Sequence, residues 1–499
     1  MRSRTRSVLA ALVLLVLAMG WPTPAAAHQR LLRSEPAREA TLNVAPRELR
    51  LVFNEPVTLA FTRLELLGPQ GTPVALGELR TAPDSTQVLI APITGPLRAG
   101  GYAVRWQTAS QDGHPVRGEF TFSIVPDAGG LTLEPPASEA AGGDPAPGQG
   151  STPAEHHPTT GLSPEGGFSA ESPAYVGVRW LTFAAIIGIV GAVAFGLLVL
   201  GLVRRRDPSE AAALLEPARR RAAGVGFALT ALLLLATLAR LYAQSLAMHG
   251  GEGALDPELM GTVLRRTIWG WGWILQLGAT LLAGVGLLLA RRGTPAGWGL
   301  AAFAALALAL TPALSGHAAA MEGTIGTAAV LADALHVLGA GGWLGSLLVL
   351  LLAGIPAAMQ LGVGRRGAGV AALVRAFSPT ALLFAGLLVL TGVFATIIHS
   401  GSLAALLASE YGRLLFLKLG IFLLVFGTGA YNYLRVQPAL GDDSATRRLR
   451  RSAGFELAVG AAVLLVTAVL VATARPFEVH DQETAVESTE HAIPATSTL

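Results

Sequence analysis

From His28 to about Pro126 the chain is built of short runs in which inward and outward positions repeat every second residue. Leu49, Leu51 and Phe53 are separated by Arg50 and Val52, and Leu64 and Leu66 stand beside Arg63 and Glu65. Tyr102, Val104 and Trp106 are interleaved with Ala103, Arg105 and Gln107, and Phe120, Phe122 and Ile124 with Glu119, Thr121 and Ser123. Turn-forming residues divide these runs, which predicts a small all-β sandwich with the aromatic and aliphatic positions as its core.

Beyond residue 173 the period disappears and long apolar runs take over. Eight of them, at about 175–203, 222–247, 268–290, 297–315, 328–353, 376–398, 413–434 and 454–474, are long enough to cross a hydrocarbon layer of about 30 Å as helices. The predicted class is therefore an N-terminal β-sandwich followed by an all-α membrane bundle, residues 174–475, seated in a lipid bilayer. The WGWGW run at 269–273 reads as an aromatic belt at the membrane surface.

The remaining segments are read from composition. Arg2, Arg4 and Arg6, the apolar stretch 8–18 and the small residues Ala25 and Ala27 describe a signal peptide, residues 1–27, whose removal makes His28 the first residue. Residues 127–173, rich in Gly, Pro and Ala, form a flexible linker, in which His156 and His157 read as a solvated pair. With the β-domain outside, Arg204, Arg205, Arg206, Arg291, Arg365, Arg447 and their neighbours fall in cytoplasmic loops, as the positive-inside rule requires. Eight spans return the acidic tail, 476–499, to the outside of the cytoplasmic membrane.

Composition agrees and excludes several chemistries. Hydrophobic residues make up 52% and charged residues 14% of 499, too apolar for an ordinary soluble enzyme. The net charge of +3 comes from loop arginines that topology explains, so no nucleic-acid partner is implied. There is no cysteine, hence no disulfide, thiolate metal site or cysteine nucleophile. Neither a P-loop nor a dinucleotide fingerprint is present, and no haem, flavin or iron–sulfur motif supplies electrons.

Metal chemistry remains. An N-terminal His28 offers an α-amine and an imidazole together, and in TASQDGHPVRGEF a carboxylate, Asp112, and an imidazole, His114, flank one glycine. Read alone, that tripeptide is as well an ordinary polar turn. Joined to His28 it completes an amine, two imidazoles and a carboxylate, an N/O set suited to tetragonal Cu(II), with zinc the chemical alternative. A two-histidine copper site can also serve oxidation. Asp112 opposes that by filling the open position, and no enzyme activity is expected.

The run HQRLLRSEPAREATLNVAPRELRLVFNEPV through GYAVRWQTASQDGHPVRGEFTFSIV resembles the CopC family of periplasmic copper-binding proteins across residues 28–126. The resemblance implies a cupredoxin- or immunoglobulin-like sandwich and maps the family's N-terminal histidine and D-x-H motif onto His28, Asp112 and His114. Some members carry a methionine-rich Cu(I) site, but residues 28–126 contain no methionine, so the Cu(II) site alone is carried over. Residues 375–474, with TGVFATIIHSGSLAALLASEYGRLLFLKLG, GAYNYLRVQP and LRRSAGFELAVGAAVLLV, resemble the CopD family, and SGHAAAM and LADALHVLGAGGWLGSL fit its longer form. A fusion of the two types implies copper transport. It suggests import, with copper tolerance by sequestration or export, the membrane part serving as anchor or sensor, as the rival.

The membrane histidines are unevenly placed. His249, His317, His336 and His399 all fall in the outer half on the predicted topology, with Met248, Met260 and Met321 on the same side, where thioethers suit Cu(I). Each alone reads as an interfacial residue; together they read as a metal entrance. His336 is the strongest, because a polar group inside a span is costly. Asp333, His336, Ala340 and Trp343 share one helical face. Asp333 either orients the His336 ring or neutralises Arg240, and Gly339, Gly341, Gly342 and Gly345 suit close packing. Asn432 and Glu456 are placed to hydrogen-bond, and Lys418 is an intramembrane cation with no assigned partner. Whether a copper chaperone or a second copy of the chain takes part is left open by the sequence.

Overall fold

The computed structural model describes residues 29–109, 115–125, 168, 171–314, 323–399, 403–440 and 443–473. They form two units, a β-domain and a helical bundle.

Among its described residues the β-domain has nine strands: β1 (Leu31–Glu35), β2 (Thr41–Leu42), β3 (Glu48–Phe53), β4 (Arg63–Leu67), β5 (Pro73–Val74), β6 (Arg80–Ala82), β7 (Ser85–Pro92), β8 (Gly100–Ala109) and β9 (Pro115–Ile124). They pair as two sheets, in the orders β1-β3-β7-β6 and β2-β9-β8-β4-β5. All pairings are antiparallel except β2 with β9. The alternation predicted for Leu49, Leu51 and Phe53 is seen directly, since all three are fully buried while their neighbours are not. They meet Tyr102, Val104, Trp106, Phe120, Phe122 and Ile124 from the opposite sheet. Phe53 sits edge-on to Trp106 at 5.2 Å, and Tyr102 stacks on Phe122 at 5.2 Å. β7 carries no period-two signal because Leu89, Ile90 and Ala91 are all buried in succession.

Trp106 lies opposite Gly118 across the β8–β9 ladder. A methyl group on Gly118 would fall 2.4 Å from Cζ2 of the indole, so the ring occupies the space that glycine leaves. Gly118→Ala is expected to destabilise the β-domain by about 1–3 kcal/mol through overpacking. Hydrogen exchange read by mass spectrometry on peptides from β8 and β9 of the full chain should quicken; unchanged protection would show that the ring relocates freely.

Among the described residues eight helices are long and apolar enough to cross a membrane: α1 (Pro173–Arg206), α2 (Ala212–Gly251), α3 (Ile268–Arg291), α4 (Pro295–Leu314), α5 (Gly326–Ala358), α6 (Val363–Ile397), α7 (Glu410–Val436) and α8 (Ser444–Leu470). Several begin before the apolar run, α6 by thirteen residues and α2 and α8 by ten, because Arg, Glu and Ala continue a helix through the interface as readily as Leu does within it. α1 is the central element, packed by α2, α4, α5 and α8. Its contact with α5 is backbone to backbone: a Cβ on Gly345 would lie 2.1 Å from the Ile187 carbonyl oxygen, so the predicted packing role of this glycine is met. Among the described residues α-helical geometry gives way to π-helical turns at Phe195–Val199 in α1, at Gly341–Gly345 and Leu350–Gly354 in α5, and at Asn432–Val436, where α7 ends. One end of the bundle is arginine-rich and tied together by Arg375 to Asp207 at 2.9 Å and by Arg365 to the Ser209 carbonyl at 3.1 Å.

Candidate metal centres

His28, Asp112 and His114 lie outside the described residues, as do His317 and Met321; of His399 the helix backbone alone is described. What is described is the frame around the first three. β8 and β9 are laddered without interruption from Gly100 opposite Ile124 to Ala109 opposite Pro115, and Asp112 and His114 belong to the connection just beyond that last pair. Gln29, the residue after His28, is buried against the same end of β8. The fully buried Thr108 hydroxyl donates to its Oε1 at 3.4 Å, and Thr62 Oγ1 stands 3.1 Å from Thr108 Oγ1. Arg30 is secured by exchanged bonds with Asn54, whose side-chain oxygen accepts from the Arg30 amide and whose own amide donates to the Arg30 carbonyl at 3.1 Å. The two chain segments that flank the predicted ligands are therefore held side by side at one end of the sandwich.

In the bundle, His336 of α5 faces α6. Its Nδ1 lies 3.0 Å from Thr391 Oγ1. That hydroxyl has one proton and two carbonyls within reach, Leu387 at 2.8 Å and Leu388 at 3.2 Å; with the proton on either, its lone pair accepts from Nδ1–H of the ring. The neutral imidazole then presents the lone pair of Nε2, the arrangement in which an outer partner orients a metal-binding histidine. Lys418 of α7 stands near enough to this ring and to Asp333 for the charges to act on one another, which places Asp333 as the acid nearest in effect to the cation that the sequence left unassigned. Arg240 takes other partners: it donates to Gln276 Oε1 at 3.0 Å and lies 5.2 Å over the Trp269 ring.

One turn and more beyond His336 on the same face, the Trp343 indole donates to Glu456 Oε1 at 3.1 Å, and the expected Asn432–Glu456 bond is present at 2.8 Å. His249 closes α2, where Gly250 turns the chain with φ 74°; its Nδ1 lies 3.3 Å from Ser245 Oγ, and both His249 and Met248 are buried. Among the described residues no three His, Asp or Glu converge as a preformed metal site.

Residues 31–125 match the CopC domain family, 169–327 the copper resistance protein D-like N-terminal domain, and 371–470 the copper resistance protein D (CopD) family. The chain joins a CopC domain to a CopD-type membrane domain. It is similar to the copper transport protein CutJ of Bacillus subtilis, at 26% identity over 477 residues, covering 94% of this chain and 78% of that one. Shorter matches run to copper resistance protein C of Escherichia coli, 34% identical over 116 residues, 22% of this chain and 90% of that one. Copper resistance protein D of Pseudomonas syringae pv. tomato is 27% identical over 308 residues, 59% of this chain and 94% of that one.

The CopD-type domain also holds a polar group that sequence reasoning passed over. The Tyr175 hydroxyl donates to Gln244 Oε1, Arg179 donates to the Ala468 carbonyl at 2.6 Å, and Gln276 donates to Thr237 Oγ1 at 2.7 Å, all buried. The signal was there: Tyr175 with Arg179, Arg240 with Gln244, and Ser245 with His249 are polar pairs four residues apart within apolar spans.

Proposed function

We propose that this chain is a copper transporter of the cytoplasmic membrane, whose outer CopC domain captures Cu(II) and whose CopD-type bundle carries copper inward. Capture uses the His28 amine and ring with Asp112 and His114. The Gln29–Thr108 contact is the observation that carries this reading, because it seats the residue after His28 against the strand end from which the Asp112–His114 connection departs. The linker keeps the loaded domain at high effective concentration near the outer mouth. Within the bundle, His249 and Met248 stand at one helix end and His336 deeper, with Nε2 free to ligate and Thr391 holding the ring. His317, His399 and Met321 complete the outer group, and the thioethers suit copper as Cu(I). The arginine-rich end faces the cytoplasm and both termini face out. The names of the relatives, copper transport on one side and copper resistance on the other, support copper as cargo and not as the tool of an enzyme.

Direction is tested by cytoplasmic copper, measured by mass spectrometry on fractionated copper-limited cells with and without this chain. Lower cytoplasmic copper in the deletion strain is the expected result. Unchanged or raised copper would overturn import and put sequestration or export in its place.

A further inference from the structure

Glu456 of α8 is 2% exposed and lies inside a membrane span. Both of its oxygens are engaged, yet only by neutral donors: Trp343 Nε1–H at 3.1 Å and Asn432 Nδ2–H at 2.8 Å. Among the described residues it makes no ion pair. Phe422 and Phe426 stand edge-on to the Trp343 ring at 6.2 and 6.4 Å, and Gly429 makes room for indole and carboxylate, a methyl there falling 3.4 Å from Glu456 Oε1. A carboxylate placed so, without a cation, is costly in a membrane and marks a functional group.

Two further features give the site its character. Trp343 lies within the π-helical turn Gly341–Gly345 and Asn432 opens the turn Asn432–Val436, so both neutral partners are aimed by local departures from α-geometry, which collect at functional sites. Asn432 Oδ1 is buried and has no hydrogen-bond partner among the described residues. An amide presents a donor or an acceptor by a half-turn of the same group. As drawn, its NH2 serves the ionised Glu456; turned over, its oxygen would accept from the O–H of the protonated acid at the same place. One asparagine thus satisfies both protonation states.

We propose that Glu456 is a proton-exchange site of the membrane domain: it holds one proton when the polar face of α5 is empty and releases it when copper occupies that face. The step moves a proton between the carboxyl oxygen and water, with no redox change. It rests on the transport reading above for the identity of the cation. His336 and Trp343 are seven residues apart on α5, about 10 Å along the axis. For a unit positive charge on the order of 10 Å from the carboxyl, at an effective permittivity near 20, the proton is disfavoured about tenfold. The other charged and titratable groups on the packed elements are placed differently. On α8, Arg447, Arg448, Arg450 and Arg451 are exposed, as are Arg413 and Arg435 on α7. Lys418 of α7 lies within electrostatic reach of Asp333 and of His336 of α5. Arg179 of α1, beside Tyr175, reaches the Ala468 carbonyl, twelve residues further along α8 than Glu456, and Arg375 of α6 is paired with Asp207.

The test uses the full chain in lipid bilayers and reads proton occupancy directly, by infrared difference spectroscopy of the carboxylic-acid carbonyl stretch on addition of Cu(I). Copper is expected to remove an acid band in the wild type. That change should vanish in Glu456→Gln, which keeps the shape and mimics the protonated state, and return at a shifted frequency in Glu456→Asp. A band change that persists in Glu456→Gln, or an acid band that copper leaves untouched, would overturn the proposal. The spectrum requires no net flux, so vesicles that show the Glu456 band change but take up no copper would sink the transport reading and support this one.

Discussion

Replacing His114 with alanine in the full chain will lower its Cu(II) affinity by about 100-fold or more, since losing even an outer partner of a metal ligand costs about 10–100-fold. The fold should survive. The last ladder pair, Ala109 with Pro115, precedes and follows the connection that carries His114, and the aromatic core of the sandwich lies away from it. Isothermal titration, with circular dichroism as the control for folding, reads both effects. The pH dependence has a definite sign. On the proposed ligand set, the amine and the two imidazoles would bind copper only when deprotonated, with ordinary values of about 7.7–8.0 and 6.5, so affinity should fall as pH falls. Below about pH 6 all three groups compete, and wild-type affinity should drop by about a thousandfold per pH unit, against about a hundredfold in His114→Ala, which displaces one proton fewer. Equal slopes in the two proteins would remove His114 from the ligand set.

The second large effect is expected at His336. His336→Ala should reduce copper uptake into vesicles at least tenfold while leaving Cu(II) capture by the CopC domain intact. Thr391→Val separates ligation from packing. Valine fills the space of threonine but withdraws the oxygen that accepts from the ring at 3.0 Å. The imidazole then loses the partner that holds its tautomer, and uptake should fall by about 10–100-fold with His336 still present. Wild-type uptake in Thr391→Val would show that the hydrogen bond does not prepare the ring for copper. Wild-type uptake in His336→Ala would take the bundle out of the copper path and favour sequestration by the outer domain.

The two parts of the chain were legible to different degrees. Strands β3, β4, β8 and β9 announced themselves because each has one face in the core and one in water, which leaves a period of two. β7 did not, because Leu89, Ile90 and Ala91 are all covered. The eight spans followed from the cost of exposing backbone and charge to lipid, though their helices run on into the interface where hydropathy no longer marks them. Asn432 and Glu456 were paired correctly from their similar depth. Lys418 had no readable partner, since Asp333 lies on another helix and sequence distance says nothing about which spans are neighbours. The π-helical turns that hold Trp343 and Asn432 left no pattern at all, since residue spacing along an apolar span does not mark where a helix widens by one residue.

What the sequence determined by itself is therefore what water and lipid impose on each segment separately: a sandwich, eight spans, and the residue types capable of holding copper. The tertiary structure alone decided which of those residues meet. It seated Gln29 against Thr108, turned the Nδ1 of His336 to Thr391, and closed Trp343 and Asn432 around Glu456. Solvent preference acts on one residue at a time and is written along the chain. Hydrogen-bond partnership depends on the distance and angle between two elements, and those exist only once the elements have packed.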